Sequence, residues 1–220
     1  MDLYLDSADM KQVERFCRLG SFRGVTTNPI ILGKAGLKAE EAGPRLLKAQ
    51  DGVVFLQAMG PDPGAMIKHG LALAHLDMER VRIKVPAVRA CIEAMKALSD
   101  HGVHVAATAV FTLGQALFAL AAGARTIIPF YGRLEASGGD PDALLHDLVG
   151  LAFDMESQPE ILVASAKTEA HVAAAVRSGA NGVTLPPSLA DALLQSPLAD
   201  KAVSDFDEAA GRVASKNLDE

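Results

Sequence analysis

Eight short runs of apolar residues, each followed by a stretch with helical spacing, leave this chain few folds to choose from. The runs are Leu3–Asp6, Gly24–Thr27, Val53–Ala58, Val81–Val85, Val103–Thr108, Thr126–Phe130, Ile161–Ser165 and Gly182–Leu185. They are unbroken rather than alternating, the pattern of parallel strands covered on both faces. Between them, Met10–Leu19, Ala39–Gln50, Pro63–His75, Ala90–Ser99, Leu113–Ala121, Leu144–Phe153, Ala170–Ser178 and Ala190–Gln195 repeat apolar residues at three- and four-residue intervals. One such unit every ~26 residues fits a single α/β domain over residues 1–220, a compact (β/α)8 TIM barrel. A doubly wound open sheet is the rival. No Gly-x-Gly-x-x-Gly turn follows the first run, so a dinucleotide fold has little support.

The chain continues past the eighth unit. Over Pro197–Val213, the residues Leu198, Ala202, Phe206, Ala209 and Val213 form one apolar stripe at helical spacing. An extra C-terminal helix is expected there. It either closes the barrel's own surface or docks on a neighbouring subunit.

Composition removes several classes of function. The formal net charge of −6 argues against a nucleic-acid surface. Ala106–Gly123 carries no charged residue, nearly enough for a membrane span. Its start, His-Val-Ala-Ala-Thr-Ala-Val, is strand-like and its continuation helical, so a buried strand followed by a barrel helix is the expectation. The first residues carry acids where a secretory signal would be basic, and the cytoplasm is the expected location. Cys17 and Cys91 read as buried small apolar groups in a reducing compartment. No two of the six histidines fall on metal-ligand spacing and no Cys/His cluster exists, so neither a metal nor an organic cofactor is expected. All six histidines read as structural.

In a barrel, reactive groups sit at the C-terminal ends of the strands, where the βα loops form the pocket. Those ends offer Asp6, Thr26-Thr27-Asn28, Gln57, Lys84, Thr108, Arg133, Ser165 with Lys167, and Thr184. Lys84 is the most informative, because Val-Arg-Ile-Lys-Val-Pro flanks it with apolar residues. An ordinary lysine is neutral in roughly one molecule in 2,500 at pH 7, and desolvation by about 2–3 pKa units makes it a usable amine for attack on a carbonyl. A strand-end lysine whose head reaches solvent has the same local sequence. Arg82, two residues earlier, is expected beyond the strand's opposite end or paired with an acid. Arg133, Ser165 and Lys167 are candidates for holding a phosphate. Asp6 could move protons or hold a substrate hydroxyl, or could cap the helix starting near Asp9.

These residues sit within Leu-Tyr-Leu-Asp-Ser-Ala (3–8), Gly-Val-Thr-Thr-Asn-Pro (24–29), Ile-Lys-Val-Pro (83–86), Ala-Thr-Ala-Val-Phe (107–111), Pro-Phe-Tyr-Gly-Arg (129–133) and Val-Ala-Ser-Ala-Lys-Thr (163–168). In order, from residue 2 to about residue 212, these segments resemble the small transaldolases and fructose-6-phosphate aldolases. The resemblance implies that Lys84 is the Schiff-base lysine and that Asp6 handles substrate hydroxyls and protons. By the same match, Gln57 and Thr108 position a water, Thr26 and Asn28 hold the donor end, and Arg133 and Ser165 clamp the phosphate. It also implies a homo-oligomer, a pentamer or a decamer made of two pentamers. Gln57 is the residue of the aldolases, where transaldolases have Glu. Phe130 is transaldolase-like, where the aldolases have Tyr. Ile128 stands where both have a small residue and could crowd the donor's terminal hydroxyl. The function so implied is transfer or release of a three-carbon ketose unit from fructose 6-phosphate. A cofactor-free isomerase or epimerase using Asp6, a non-catalytic sugar-phosphate binder, and a pyridoxal-binding barrel using Lys84 are the other readings.

Overall fold

A computed structural model describes the backbone of residues 1–216 and the side chains of residues 1–210. Eight parallel strands close into a barrel in sequence order: β1 (Asp2–Asp6), β2 (Phe22–Thr26), β3 (Val53–Gln57), β4 (Val81–Pro86), β5 (Val105–Val110), β6 (Thr126–Pro129), β7 (Glu160–Val163) and β8 (Gly182–Leu185), with β8 pairing back onto β1. The (β/α)8 expectation is met, and each strand lies within two residues of its sequence-based bounds.

The helices are α1 (Met10–Cys17), α2 (Pro29–Lys34), α3 (Ala39–Ala49), α4 (Pro63–Ala74), α5 (Ile92–Asp100), α6 (Leu113–Ala121), α7 (Tyr131–Ala136), α8 (Pro141–Asp154), α9 (Glu169–Ser178), α10 (Pro187–Leu194) and α11 (Pro197–Lys216). Two of these, α2 and α7, were not anticipated. At six residues each they are too short for a hydrophobic period to show, although Asn28 before Pro29 is a strong start signal.

Apolar side chains fill both sides of the sheet. Inside the barrel, Tyr4, Phe55, Ala106, Ile128, Phe130, Leu162 and Ala164 form one buried cluster. Outside, the helices bury Val13 and Phe16, Leu46, Leu73, Met95 and Leu98, and Leu145 and Leu148. Six of the barrel helices start on a side chain that accepts from the first turn: Asp9, Asn28, Asp62, Thr112, Asp140 and Thr168. Each such cap fixes where a loop ends, and so where the preceding strand end can point. Ala106–Gly123 divides into β5 and α6, and among the described residues no helix is long and apolar enough to cross a membrane.

Contacts divide the chain into a barrel unit, residues 1–187, and a second unit from residue 188 onward. The second unit contains α11, the helix expected over Pro197–Val213. Leu198, Val203 and Phe206 on it are exposed, and the side chain of Val213 lies outside the described residues.

Candidate active site

Lys84 is 3% exposed, and its amine donates to the carbonyl of Thr27 at 2.8 Å. Thr27 is itself held by its backbone N–H and hydroxyl, both donating to the Phe55 carbonyl at 3.1 and 2.8 Å. The lysine's acceptor is therefore fixed by two bonds to the neighbouring strand. Burial pushes the Lys84 amine down to about 8; Asp6 opposes the shift and Arg133 reinforces it. At that value roughly one molecule in ten carries the neutral amine at pH 7.

Asp6 does not cap α1. Asp9 does, accepting from Lys11 N–H at 2.9 Å, which leaves the Asp6 carboxylate free to face inward. Thr26 donates its hydroxyl to Asp6 at 2.7 Å. That uses the one proton Thr26 has, so Thr184, 2.5 Å from the Thr26 oxygen, is the donor in the second bond. The result is a buried relay, Thr184 to Thr26 to Asp6.

Thr108 and Ser165 differ from these threonines in having no partner. Their buried hydroxyls make no hydrogen bond; among the described residues the one other such side-chain atom is His69 Nε2, which has the Glu40 carboxylate 3.2 Å away. A buried hydroxyl without a partner costs about 1–3 kcal/mol, so each calls for an explanation. Both also sit beside strain. Ser165 has φ +63°, and Ala109, next to Thr108, has φ +56°. Non-glycine residues rarely adopt that region and do so at a cost of about 1–3 kcal/mol. At Ala109 the register of β5 against β6 shifts, a bulge that re-aims the strand end.

Arg133 lies at the mouth, its guanidinium 4.7 Å from the centre of the Phe130 ring. Gly132 makes its approach possible, because a Cβ there would lie 2.4 Å from the Ser165 carbonyl oxygen. Arg133, Lys167, Asp6 and Asn28 line one cavity of about 800 Å³. The Asn28 side-chain oxygen caps α2, accepting from Ile30 and Ile31 at 2.9 and 3.0 Å, which leaves its amide nitrogen to face a ligand.

Not every candidate joins this group. No hydrogen bond links Gln57 to Thr108; the Gln57 amide meets only the Met59 sulfur at 3.6 Å. Ile128 is 1% exposed within the packed interior cluster, and like Lys84, Thr26, Thr108, Phe130 and Ser165 it does not line the cavity. A second cavity of about 460 Å³ lies by Cys17, Gln50 and Asp51, before β3, and contains no strand-end residue. It is open but has no buried reactive group. Among the described residues no cluster of three His, Cys, Asp or Glu could hold a metal ion.

A desolvated amine whose basicity is set by a nearby carboxylate and arginine, at the barrel end where two hydroxyls lack partners, can form a covalent imine with a carbonyl compound bearing an anionic end. Residues 3–220 match the Transaldolase/Fructose-6-phosphate aldolase family. The chain belongs to this family. Among its relatives is the "Probable transaldolase" of Leptospira biflexa, 35% identical over 208 residues that cover 94% of this chain and 97% of that protein. The "Probable transaldolase" of Nitrosopumilus maritimus is 34% identical over 220 residues, 100% of this chain and 99% of that one. The solved structure named "Native KDPGal structure" shares the fold, with a TM-score of 0.54 at 18% identity over 83% of this chain and 80% of that chain. As a transaldolase/fructose-6-phosphate aldolase family member, the chain is an enzyme of the class I, lysine Schiff-base type, acting in carbohydrate metabolism.

Three features of the site had no signal that was read in the sequence. Thr184 appeared as a strand end without a role, yet it starts the relay to Asp6. The Thr27 carbonyl, the acceptor for Lys84, is a backbone atom that no residue type announces. Gly132 was visible, but only the approach of Ser165 explains why glycine stands there.

Proposed function

We propose that this enzyme cleaves fructose 6-phosphate reversibly between C3 and C4 and passes the three-carbon fragment to an aldehyde acceptor or releases it. The observation that carries the reading is the buried, weakly basic amine of Lys84, whose basicity Asp6 and Arg133 move in opposite directions. The neutral amine attacks the C2 carbonyl, and loss of water gives an iminium. Removal of the C4 hydroxyl proton breaks C3–C4, glyceraldehyde 3-phosphate leaves, and the iminium takes up the electron pair as an enamine. Asp6, biased by the Thr26–Thr184 relay, handles the protons, and Gln57 and Thr108 hold the water that carries them. Thr26 and Asn28 bind the donor end. Arg133, Ser165 and Lys167 receive the phosphate, a dianion that suits a planar guanidinium. Phe130 sets the size of the donor pocket, with Ile128 packed in the same interior cluster behind it, and Gln57 and Phe130 divide transfer from release.

Incubation with fructose 6-phosphate and borohydride tests this directly. A reduced adduct is expected on Lys84 alone; an adduct on Lys167, or none, overturns the assignment. We further propose that the enzyme works in the cytoplasm, in the pentose phosphate pathway, as a pentamer or decamer. The exposed Leu198, Val203 and Phe206 of α11 support a subunit contact there. A monomer by light scattering would end that part of the proposal.

A further inference from the structure

His171 is 7% exposed and lies in the first turn of α9. Both of its ring nitrogens are engaged. The backbone N–H of Lys167 donates to Nδ1 at 3.2 Å, and Nε2 meets the carboxylate of Glu135, on α7, at 2.9 Å. A backbone N–H can only donate, so Nδ1 bears the lone pair and Nε2 the proton given to Glu135. The ring also lies 4.8 Å from that of Tyr131, whose hydroxyl donates to Asp142 at 2.9 Å. One imidazole thus ties the loop after β7, with Ser165 and Lys167, to the helix that carries Arg133. The joint has no slack: a Cβ at Gly132 would come within 3.2 Å of both His171 Cε1 and Lys167 Cγ. Ser165 keeps its left-handed backbone, φ +63°, beside this joint, and such a conformation persists only where its surroundings over-determine it.

We propose that His171, held by Glu135, is a positioning residue that sets Ser165 and Lys167 against Arg133, so that affinity for the phosphate end depends on it while the covalent chemistry does not. The inference rests on the phosphate role assigned to Arg133, Ser165 and Lys167 above. His171→Asn keeps an acceptor where Nδ1 stands but does not reach Glu135. His171→Gln reaches Glu135 but loses the acceptor for Lys167 N–H. KM and kcat are measured for fructose 6-phosphate and for an unphosphorylated ketose, alongside Arg133→Ala. The expectation for His171→Gln is a rise of about tenfold in KM for the phosphorylated substrate, with kcat and the unphosphorylated KM held within about twofold. His171→Asn should recover most of that loss. If Arg133→Ala separates the two substrates while His171→Gln does not, the positioning role is wrong and the phosphate assignment stands. If Arg133→Ala does not separate them, the phosphate assignment is wrong, and this inference goes with it. Should the His171 variants fail to fold, Glu135→Gln, at an exposed carboxylate, decides by the same split. A phosphorylated KM about threefold higher is expected, and an unchanged one overturns the proposal.

Discussion

Arg82 and Lys84 stand two residues apart on β4, on the same side of the strand, and the two ends of the barrel treat their charges in opposite ways. Arg82 is half-buried at the N-terminal end. It donates to the Glu79 carbonyl at 2.7 Å and has Glu160 and Tyr4 close enough to offset part of its desolvation. Nearby, Thr126 bonds both His104, at 2.8 Å, and Glu160, at 3.3 Å. At the other end, Lys84 has one bond to a backbone carbonyl, two hydroxyls have none, and two residues hold strained backbones. Burial alone therefore does not mark the site. What marks it is burial without satisfaction: the lower end spends its polar groups on one another, and the upper end keeps them for a substrate.

The sharpest way to break this contrast is to remove each cation in turn. Lys84→Met should abolish turnover and borohydride labelling, yet stabilise the fold. The folded pKa of Lys84, about 8, lies below the 10.5 of an ordinary lysine, so holding the charged form in the folded state costs stability. That cost is full below about pH 8 and fades as pH rises toward the unfolded value; it is worth about 3 kcal/mol at pH 7. Urea midpoints should favour the variant clearly at pH 7 and hardly at pH 10.5. An equal advantage at both would show that the amine is not desolvated. In the wild type, kcat/KM should climb with pH, reach half its plateau near 8 and level off above it.

Arg133→Ala should come next in size. Loss of a charge-assisted contact should raise KM for phosphorylated substrates by an amount equivalent to about 2–3 kcal/mol. Because Arg133 also lowers the basicity of Lys84, its removal should shift the rising limb of the pH profile upward. Equal damage to unphosphorylated aldehydes at their own pH optimum would make Arg133 structural. Arg82→Met should do the reverse of Lys84→Met. It takes from Glu160 a cation that acts on it, costing about 1–2 kcal/mol at this half-exposed position, with activity within about twofold of wild type. A gain in stability would mean that the lower cluster is no better satisfied than the upper.

The contrast was partly legible in the sequence. Apolar flanks marked Lys84 as a buried cation, and the barrel rule placed Asp6, Thr26, Thr108 and Ser165 at the same end. Arg82, expected beyond the strand's opposite end or paired with an acid, lies inside β4 near its start, with Glu160 close enough to act on it. What could not be read is what depends on backbone geometry. The bulge at Ala109 leaves no trace in Ala-Thr-Ala-Val, since nothing but φ distinguishes that alanine from its neighbours. Asp6 reads from sequence as a possible cap of α1, and only the helix start at Met10 gives that role to Asp9. The histidines were read as structural, and His69 and His171 do hold backbones. That both accept from a loop N–H just past a strand end, and both face a glutamate, appears only in three dimensions.

The smallest effect gives the cleanest comparison, because it changes the same atom at both ends. Thr126→Val removes a hydroxyl that His104 and Glu160 share, and should cost about 1–3 kcal/mol. Burial holds the His104 imidazole down to about 3, so it stays neutral and cannot recover by charging. Thr108→Val removes a hydroxyl that bonds nothing in the free protein. The variant should therefore unfold within about 1 kcal/mol of wild type, or slightly later, since a buried donor with no acceptor is relieved. Its activity should nonetheless fall, because in the proposed mechanism that hydroxyl helps to hold the proton-carrying water. Thermal unfolding and initial rates on the two variants supply a two-by-two test: Thr126→Val losing stability and keeping rate, Thr108→Val keeping stability and losing rate. If Thr108→Val destabilises the fold as much as Thr126→Val does, the upper hydroxyl has a partner in solution after all. The unsatisfied polar groups at that end would then no longer be what sets it apart.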